Sequence, residues 1–192
     1  ASLKQLSSLK IGGLADIYYP ENAAEFIELI NSFEMPIVIG SGSNSVFEDG
    51  VYQRPIICTS LLNKVENKDD QTYAEAGVKL GSLFDFAAGT PATVGGGILN
   101  NYGAFGHQLF DYLESVELIE KGSDKATRLK ATDIQYGYRY TSLKENKHRY
   151  IAGGYFQQIR PKKELQIFLE QRKLKQVSNF PNAGSLFKNP PG

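Results

Sequence analysis

The pattern of apolar and polar positions along the chain first predicts two helices. Asn22 is a good helix N-cap and Glu25 stands three positions later, an arrangement that often marks a helix start. Apolar residues then recur at helical spacing between residues 23 and 30. A second helix is predicted over residues 162–176, a charged segment whose apolar residues share one face.

Shorter patterns predict strands between and around these helices. Some are continuous apolar runs, typical of buried strands, and others alternate apolar and polar residues, typical of half-buried strands. The predicted strands cover residues 15–19, 35–39, 54–59, 73–76, 116–120 and 150–156. Because strands and helices are mixed without a strict strand–helix–strand rhythm, the predicted fold class is α+β.

The composition excludes several classes of protein. The chain has 192 residues, enough for one or two domains, and its 41% apolar and 22% charged content excludes wholesale disorder. Its 21 basic residues balance 21 acidic ones, so no net field draws it to nucleic acid or an anionic membrane. One cysteine and two histidines argue against a disulfide framework and against a metal site.

The ends of the chain and its longest apolar runs predict where the protein works. No apolar run reaches the length of a membrane span, and the N-terminus lacks the shape of a signal peptide. These features predict a soluble, cytoplasmic protein without membrane insertion. The last residues end without a closing element, which predicts a truncated chain.

Glycine is enriched, and a first glycine cluster follows the predicted strand at residues 35–39. It consists of Gly40, Ser41, Gly42, Ser43 and Asn44. Glycines there let successive N–H groups converge on a phosphate, with Ser and Asn adding donors. An ordinary turn is the equal alternative, and the cluster lacks the third glycine of the dinucleotide-binding fingerprint.

A second cluster contains Pro91, Thr93, Gly95, Gly96 and Gly97. Three consecutive glycines cost backbone entropy, so either a ligand approaches the backbone closely or the chain makes a tight bend. Two such clusters far apart in sequence suit an extended dinucleotide that lies between two subdomains.

Several polar residues are candidates for ligand binding. Arg139, which follows Tyr138, suits a carboxylate, although a surface arginine is the simpler interpretation. Arg172 and Lys175 lie on one predicted helical face and suit a pyrophosphate, with a solvated face as the alternative. Ser185 reads as a turn or N-cap residue, and residues 188–190 read as a polar loop.

Taken in order, these motifs resemble the family of UDP-N-acetylenolpyruvoylglucosamine reductases, in its shorter form. The matching segments are residues 9–16, 40–44, 89–96, 101–106, 138–141 and 182–190. The resemblance implies an FAD-binding module of the vanillyl-alcohol-oxidase/PCMH type with two α+β subdomains, over residues 1–60 and 61–161. Residues 162–192 would then begin a substrate-binding domain.

The resemblance also implies roles for individual residues. NADPH would reduce FAD, which would pass a hydride to UDP-N-acetylglucosamine enolpyruvate to form UDP-N-acetylmuramate for peptidoglycan, in a monomeric enzyme. Arg139 would meet the enolpyruvyl carboxylate and Ser185 would deliver the proton. The implied FAD-binding residues are Gly40, Ser41, Gly42, Ser43, Asn44, Pro91, Thr93, Gly95, Gly96, Gly97, Asn101, Gly103 and Ala104. The implied substrate-binding residues are Tyr138, Arg172, Lys175, Lys188 and Asn189.

Three features depart from the family pattern. The stretch before Gly89 is short, Ala92 replaces a glycine, and the family's late catalytic glutamate lies beyond residue 192. Two alternatives therefore stay open: another FAD-dependent oxidase of the same superfamily, or a non-catalytic nucleotide-binding remnant.

Overall fold

A computed structural model describes residues 1–157, 159, 164–175 and 180–185. Its helices are α1 Ala23–Ser32, α2 Leu80–Leu83, α3 Val94–Leu99 and α4 Leu165–Lys175. Its strands are β1 Ile17–Tyr18, β2 Ile37–Ile39, β3 Ile56–Cys58, β4 Val65–Lys68, β5 Gln71–Glu75, β6 Gly103–Ala104, β7 His107–Gln108, β8 Leu113–Glu120, β9 Ala126–Lys130, β10 Tyr136–Gly137, β11 Tyr140–Thr141 and β12 Arg149–Gln157. The mixture confirms the predicted α+β class.

The first sheet is parallel, with strand order β1-β3-β2. The helix α1 lies between β1 and β2 in the chain and begins as predicted, because Asn22 Oδ1 accepts the N–H of Glu25 at 3.0 Å. The carboxylate of Glu25 accepts the N–H of Glu21 at 2.9 Å, one residue earlier than in the standard capping box. The bond from Glu25 satisfies one of the N–H groups that a helix start leaves unpaired, and the bond from Glu21 holds the residue before the cap.

The second sheet is antiparallel, with strand order β4-β5-β12-β8-β9. The long central strand β12 pairs with β5 on one side and β8 on the other. The alternation predicted at residues 73–76 is confirmed in β5, where every second residue is buried. The strand predicted at residues 116–120 is present in β8, but its alternation is wrong: Leu118 and Ile119 are both buried, because the two faces of β8 pack into different core clusters. The predicted strand at residues 150–156 is confirmed as part of β12.

A core built around α1 joins the two sheets. Phe26 and Ile30 are fully buried, and they pack with Ile57 of the first sheet and with Ile119 and Ala152 of the second. Each large apolar side chain that is buried in this way contributes about 1.5–3 kcal/mol. The two sheets therefore share one core and form one continuous structure.

The three consecutive glycines of the second cluster lie in a helix, which differs from the tight bend that was the alternative to close ligand approach. Residues 94–99 form α3, and Gly97 is buried against α2, where an added Cβ would stand 2.5 Å from Leu80 Cδ1. This glycine is therefore required by close packing between helices. The predicted helix at residues 162–176 is confirmed over Leu165–Lys175 as α4, with Phe168 and Arg172 buried, and residues 162, 163 and 176 lie outside the described residues.

The predicted domain boundaries stay a prediction, although the first sheet lies within residues 1–60 and the second within residues 61–161. Across the described segments, no helix has the length and apolar character to cross a membrane. Within the same segments, no three His, Cys, Asp or Glu side chains gather as metal ligands do.

Candidate active site

The two glycine clusters, distant in sequence, touch in the structure. Gly40 directly follows β2, and an added Cβ there would stand 2.1 Å from Thr93 Oγ1. Ser41 Oγ donates a hydrogen bond to the carbonyl of Pro91, and it also lies 3.3 Å from Ser43 Oγ. The structure thus brings together most of the residues predicted to hold a dinucleotide.

Glycine at position 42 is required by the turn itself. Its φ is +62°, and an added Cβ would stand 2.1 Å from the carbonyl oxygen of Leu6. Asn44, two residues further on, is exposed. The close approach of this turn to the N-terminal segment holds the cluster in place beside β2.

A cleft of about 230 Å³ opens beside this junction. Gly40 and Thr59 line it from the carboxyl ends of β2 and β3, which is where open parallel sheets bind ligands. Gly95 and Gly96 line it from α3. An added Cβ at Gly96 would meet only Thr93 Oγ1, at 3.6 Å, so the main chain there is bare toward the cleft.

Basic residues line the opposite wall, and sequence reasoning missed them. Lys144, Lys147 and Arg149 contribute to the wall, whereas no acidic residue of the described chain lines it. Glu120 pairs with Arg149 at 2.7 Å from outside the cleft. Burial raises the pKa of the lining residue Tyr150, so its phenol adds no negative charge. The only signal in the sequence was the run of charge before the predicted strand at residues 150–156.

Arg139 lies at the tip of a second structural unit, the β10–β11 hairpin. It is the second residue of a two-residue turn and has φ of +57°, a conformation that costs an ordinary residue about 1–2 kcal/mol. Its guanidinium donates to the carbonyl of Gly103 at 2.8 Å and lies 5.6 Å from the rings of Tyr102 and of Tyr138. No carboxylate among the described residues pairs with it.

The remaining predicted residues lie in several places. Gly103 and Ala104 form β6, and Asn101 is buried between this strand and α3. Tyr138 is exposed beside Arg139, and Lys175 is exposed at the end of α4. Ser185 is exposed after Gly184, and no hydrogen bond joins it to Arg139 in the described part of the chain. Lys188 and Asn189 lie outside the described residues.

Arg172 is held by the protein itself. Only 9% of the residue is exposed, and its guanidinium donates to the carbonyls of Ala88 at 2.8 Å and Phe86 at 3.1 Å. The guanidinium carbon lies 5.1 Å from the ring centre of Phe105. This placement differs from the solvated helical face that was the alternative, and it shows that α4 is anchored through this arginine.

Comparison with solved structures first defines the class of protein. Quinoline 2-oxidoreductase from Pseudomonas putida 86 shares the fold, with a TM-score of 0.53 over 77% of this chain and 60% of that chain, at 13% identity. The predicted fold, an FAD-binding module of the vanillyl-alcohol-oxidase/PCMH type, is thereby confirmed. No protein-family model matches the chain.

Closer relatives define the family. The UDP-N-acetylenolpyruvoylglucosamine reductase of Chloroherpeton thalassium is 37% identical over 215 aligned positions, which cover 100% of this chain and 68% of the relative. The solved UDP-N-acetylenolpyruvylglucosamine reductase (MurB) from Thermus caldophilus has a TM-score of 0.80 and 27% identity, covering 99% of this chain and 74% of that one. The chain belongs to the UDP-N-acetylenolpyruvoylglucosamine reductase family, a family of oxidoreductases. The predicted family and enzyme class are thereby confirmed.

Proposed function

We propose that the chain carries the FAD-binding part of an NADPH-dependent reductase that converts UDP-N-acetylglucosamine enolpyruvate to UDP-N-acetylmuramate for peptidoglycan. The observation that carries this proposal is the meeting of two glycine clusters at a cation-lined cleft. Family membership supplies the substrate class, because the relatives are named for it. A monomeric enzyme in the cytoplasm completes the proposal.

The residues of the cleft fit FAD. Gly96 leaves main chain bare for a flat or pyrophosphate-bearing ligand, as glycine allows, and Gly40 lines the same cleft beside Thr93. Lys147 and Arg149 supply positive charge, and phosphate groups need such partners. When bound, FAD supplies the hydride chemistry, taking reducing equivalents from NADPH, which no side chain could supply.

The residues implied at the substrate have distinct tasks. Arg139 binds the enolpyruvyl carboxylate, since its guanidinium presents several donors in a plane and one described carbonyl uses only one of them. Reduction builds negative charge on the carbon next to that carboxylate, and a fixed cation stabilises it in the transition state. Ser185 then donates the proton, and its exposed hydroxyl is accessible for this task.

The first test is the absorption spectrum of the purified full-length protein. We expect flavin absorption bands, and NADPH oxidation that depends on the enolpyruvyl sugar nucleotide. A colourless protein that does not take up FAD would remove the flavin proposal and favour a nucleotide-binding remnant. A flavoprotein that ignores this substrate and consumes oxygen would favour an oxidase.

The proton donor has its own test. In the Ser185→Ala variant, we expect NADPH to reduce the flavin at the normal rate and the enolpyruvyl substrate not to be turned over. The matched control is Ser82→Ala, which removes another exposed hydroxyl, one that donates to the Lys79 carbonyl at 2.7 Å. This control should leave both half-reactions unchanged. Normal turnover by Ser185→Ala would reduce Ser185 to a turn residue.

A further inference from the structure

Asn101 lies where the end of α3 meets the hairpin that carries Arg139. Only 2% of the residue is exposed, and its φ of +41° is one that asparagine tolerates better than most residues. Its Nδ2 donates to Gln108 Oε1 at 2.9 Å and to the carbonyl of Gly137 at 3.0 Å. Its Oδ1 accepts the N–H of Phe110 at 3.4 Å. Both amide hydrogens are therefore in use, and none remains for a cofactor.

The bond to Gly137 fixes the turn that presents Arg139. Gly137 pairs with Tyr140 across the two-residue turn, so its carbonyl lies at the base of that turn. The backbone of Arg139 is in a sparsely populated conformation, which persists only where surrounding contacts enforce it. Thr141 adds a second anchor, because its Oγ1 donates to the carbonyl of Leu99 at 2.8 Å.

We infer that Asn101 is a positioning residue for Arg139. Its amide holds the turn against α3, the helix whose Gly95 and Gly96 line the cofactor cleft. The helix α3 thus forms part of the cleft wall and also supports the turn that positions the Arg139 guanidinium. The inference rests on the proposed function, which gives Arg139 the substrate carboxylate to hold. It assigns Asn101 a task different from the direct cofactor contact that the family resemblance implies.

Two substitutions and a matched control test this inference in the full-length, FAD-loaded protein. Asn101→Gly keeps the left-handed backbone and removes the amide, whereas Asn101→Asp keeps the shape and one acceptor but removes both donors. Asn31→Asp is the control, because Asn31 Nδ2 also donates to a carbonyl, of Ser123 at 2.9 Å, and its Oδ1 accepts the N–H of Gly122 at 2.7 Å. That pair joins α1 to the β8–β9 turn and does not line the cleft.

Rapid-mixing absorbance separates the two half-reactions. We expect both Asn101 variants to slow flavin reoxidation by the enolpyruvyl substrate about 10- to 100-fold, since a small misplacement of a catalytic group costs that much. Flavin reduction by NADPH and FAD affinity stay within about twofold, and the control changes neither. Combining Asn101→Gly with a substitution of Arg139 adds no further loss, because the two act as a unit.

Amide hydrogen exchange gives a readout that is independent of turnover. In the full-length protein, residues 136–141 exchange about tenfold faster in both Asn101 variants than in the control. Unchanged reoxidation, or a fall in FAD affinity with both half-reactions equally affected, would overturn the positioning role. If the unsubstituted protein fails to turn over the substrate, the proposed function fails, and unchanged hairpin exchange would then overturn the inference as well.

Discussion

Arg139 and Arg172 are both predicted to meet the substrate, and the structure holds them in opposite ways. Arg139 is half-buried in a turn with a strained backbone, and its guanidinium donates to the single carbonyl of Gly103. Arg172 is buried in a regular helix and donates to two carbonyls, those of Phe86 and Ala88. The first arginine has donors to spare for a ligand, whereas the second uses its donors to hold the fold.

Both arginines reach the same small hairpin, β6–β7. Arg139 contacts it through the Gly103 carbonyl, and Arg172 lies 5.1 Å from the ring of Phe105 at its turn. Phe168 of α4 stacks on Phe105 from the same side, at 4.9 Å. The hairpin therefore lies between a residue proposed for catalysis and the helix that docks at the start of the predicted substrate domain. A strained backbone at Arg139, whose guanidinium has unused hydrogen-bond donors, indicates a role in function. Hydrogen bonds from Arg172 to buried carbonyls indicate a role in stability.

The largest effect is expected at Arg139. Arg139→Asn keeps a side chain that tolerates a positive φ but removes the guanidinium. We expect turnover of the enolpyruvyl substrate to fall at least about 100-fold, with the free energy of unfolding changed by less than about 1 kcal/mol. Steady-state kinetics and urea unfolding of the full-length protein measure both quantities.

The charge-conserving variant sharpens this result. Arg139→Lys is also expected to lose most turnover, because a point charge cannot reproduce the planar fork of donors. Normal activity in either variant would contradict the proposed contact between Arg139 and the substrate carboxylate, and Arg139 would then be an ordinary surface arginine.

At Arg172 we expect the reverse of the Arg139 result, namely a loss of stability rather than a direct loss of turnover. Arg172→Ala leaves two carbonyls without their donor and removes the contact with Phe105, which should lower the free energy of unfolding by about 2–4 kcal/mol. The neighbouring exposed residue provides the control, since Lys173→Ala should change stability by less than about 0.5 kcal/mol. Lost activity with unchanged stability would give Arg172 the same kind of role as Arg139.

Much of this arrangement can be predicted from local sequence. The capping residues at Asn22 and Glu25 specify the start of α1, and alternation specifies the buried face of β5. The ordered motifs predict the family and the two segments that meet at Gly40 and Thr93. These features depend on residue type and spacing alone, which the sequence displays directly.

Other features depend on contacts between distant residues. Gly97 packs directly against Leu80 of α2, and the partners of Arg172 lie more than 80 positions away. The strained backbone of Arg139 leaves no mark in its own residue type. Lys147 lines the cleft together with residues from β2 and α3, and β12 begins two residues after it. A local pattern cannot predict such placements, since tertiary contacts decide them.

Gly89 tests how closely α4 is packed beside Arg172. Its φ is +75°, and an added Cβ would stand 3.1 Å from Leu169 Cδ2 and 3.2 Å from Arg172 Cδ. Gly89→Ala should lower the free energy of unfolding by about 1–2 kcal/mol from the backbone alone, with a further loss from these contacts. Gly122→Ala is the matched control, because its φ is +86° and nothing lies within 4 Å of an added Cβ. Equal losses of unfolding free energy in the two variants would mean that α4 shifts to accept the added methyl group without further destabilisation.

The smallest effect concerns alkaline pH on the Arg172 side of the hairpin. Tyr112 stacks on Phe86 at 5.6 Å and forms a hydrogen bond with His107 Nδ1 at 2.9 Å. Burial, followed by the charges of Asp111 and Glu164, raises the pKa of Tyr112 in the folded protein. A tyrosine in the unfolded chain titrates near pH ~10, so the unfolded state releases this proton first.

The contribution of Tyr112 to stability is therefore complete below that pH and is lost as the pH rises through the pKa of the folded state. We expect the free energy of unfolding to fall less steeply above pH ~10 in Tyr112→Phe than in the unsubstituted protein. Urea unfolding at a series of alkaline pH values measures the two slopes, and other tyrosines contribute equally to both. Tyr112 packs on Phe86, whose carbonyl accepts from Arg172, so it belongs to the side of the hairpin that holds the fold. We therefore expect flavin reoxidation near neutral pH to stay unchanged in Tyr112→Phe. Parallel slopes would mean that Tyr112 titrates as freely in the folded protein as in the unfolded chain.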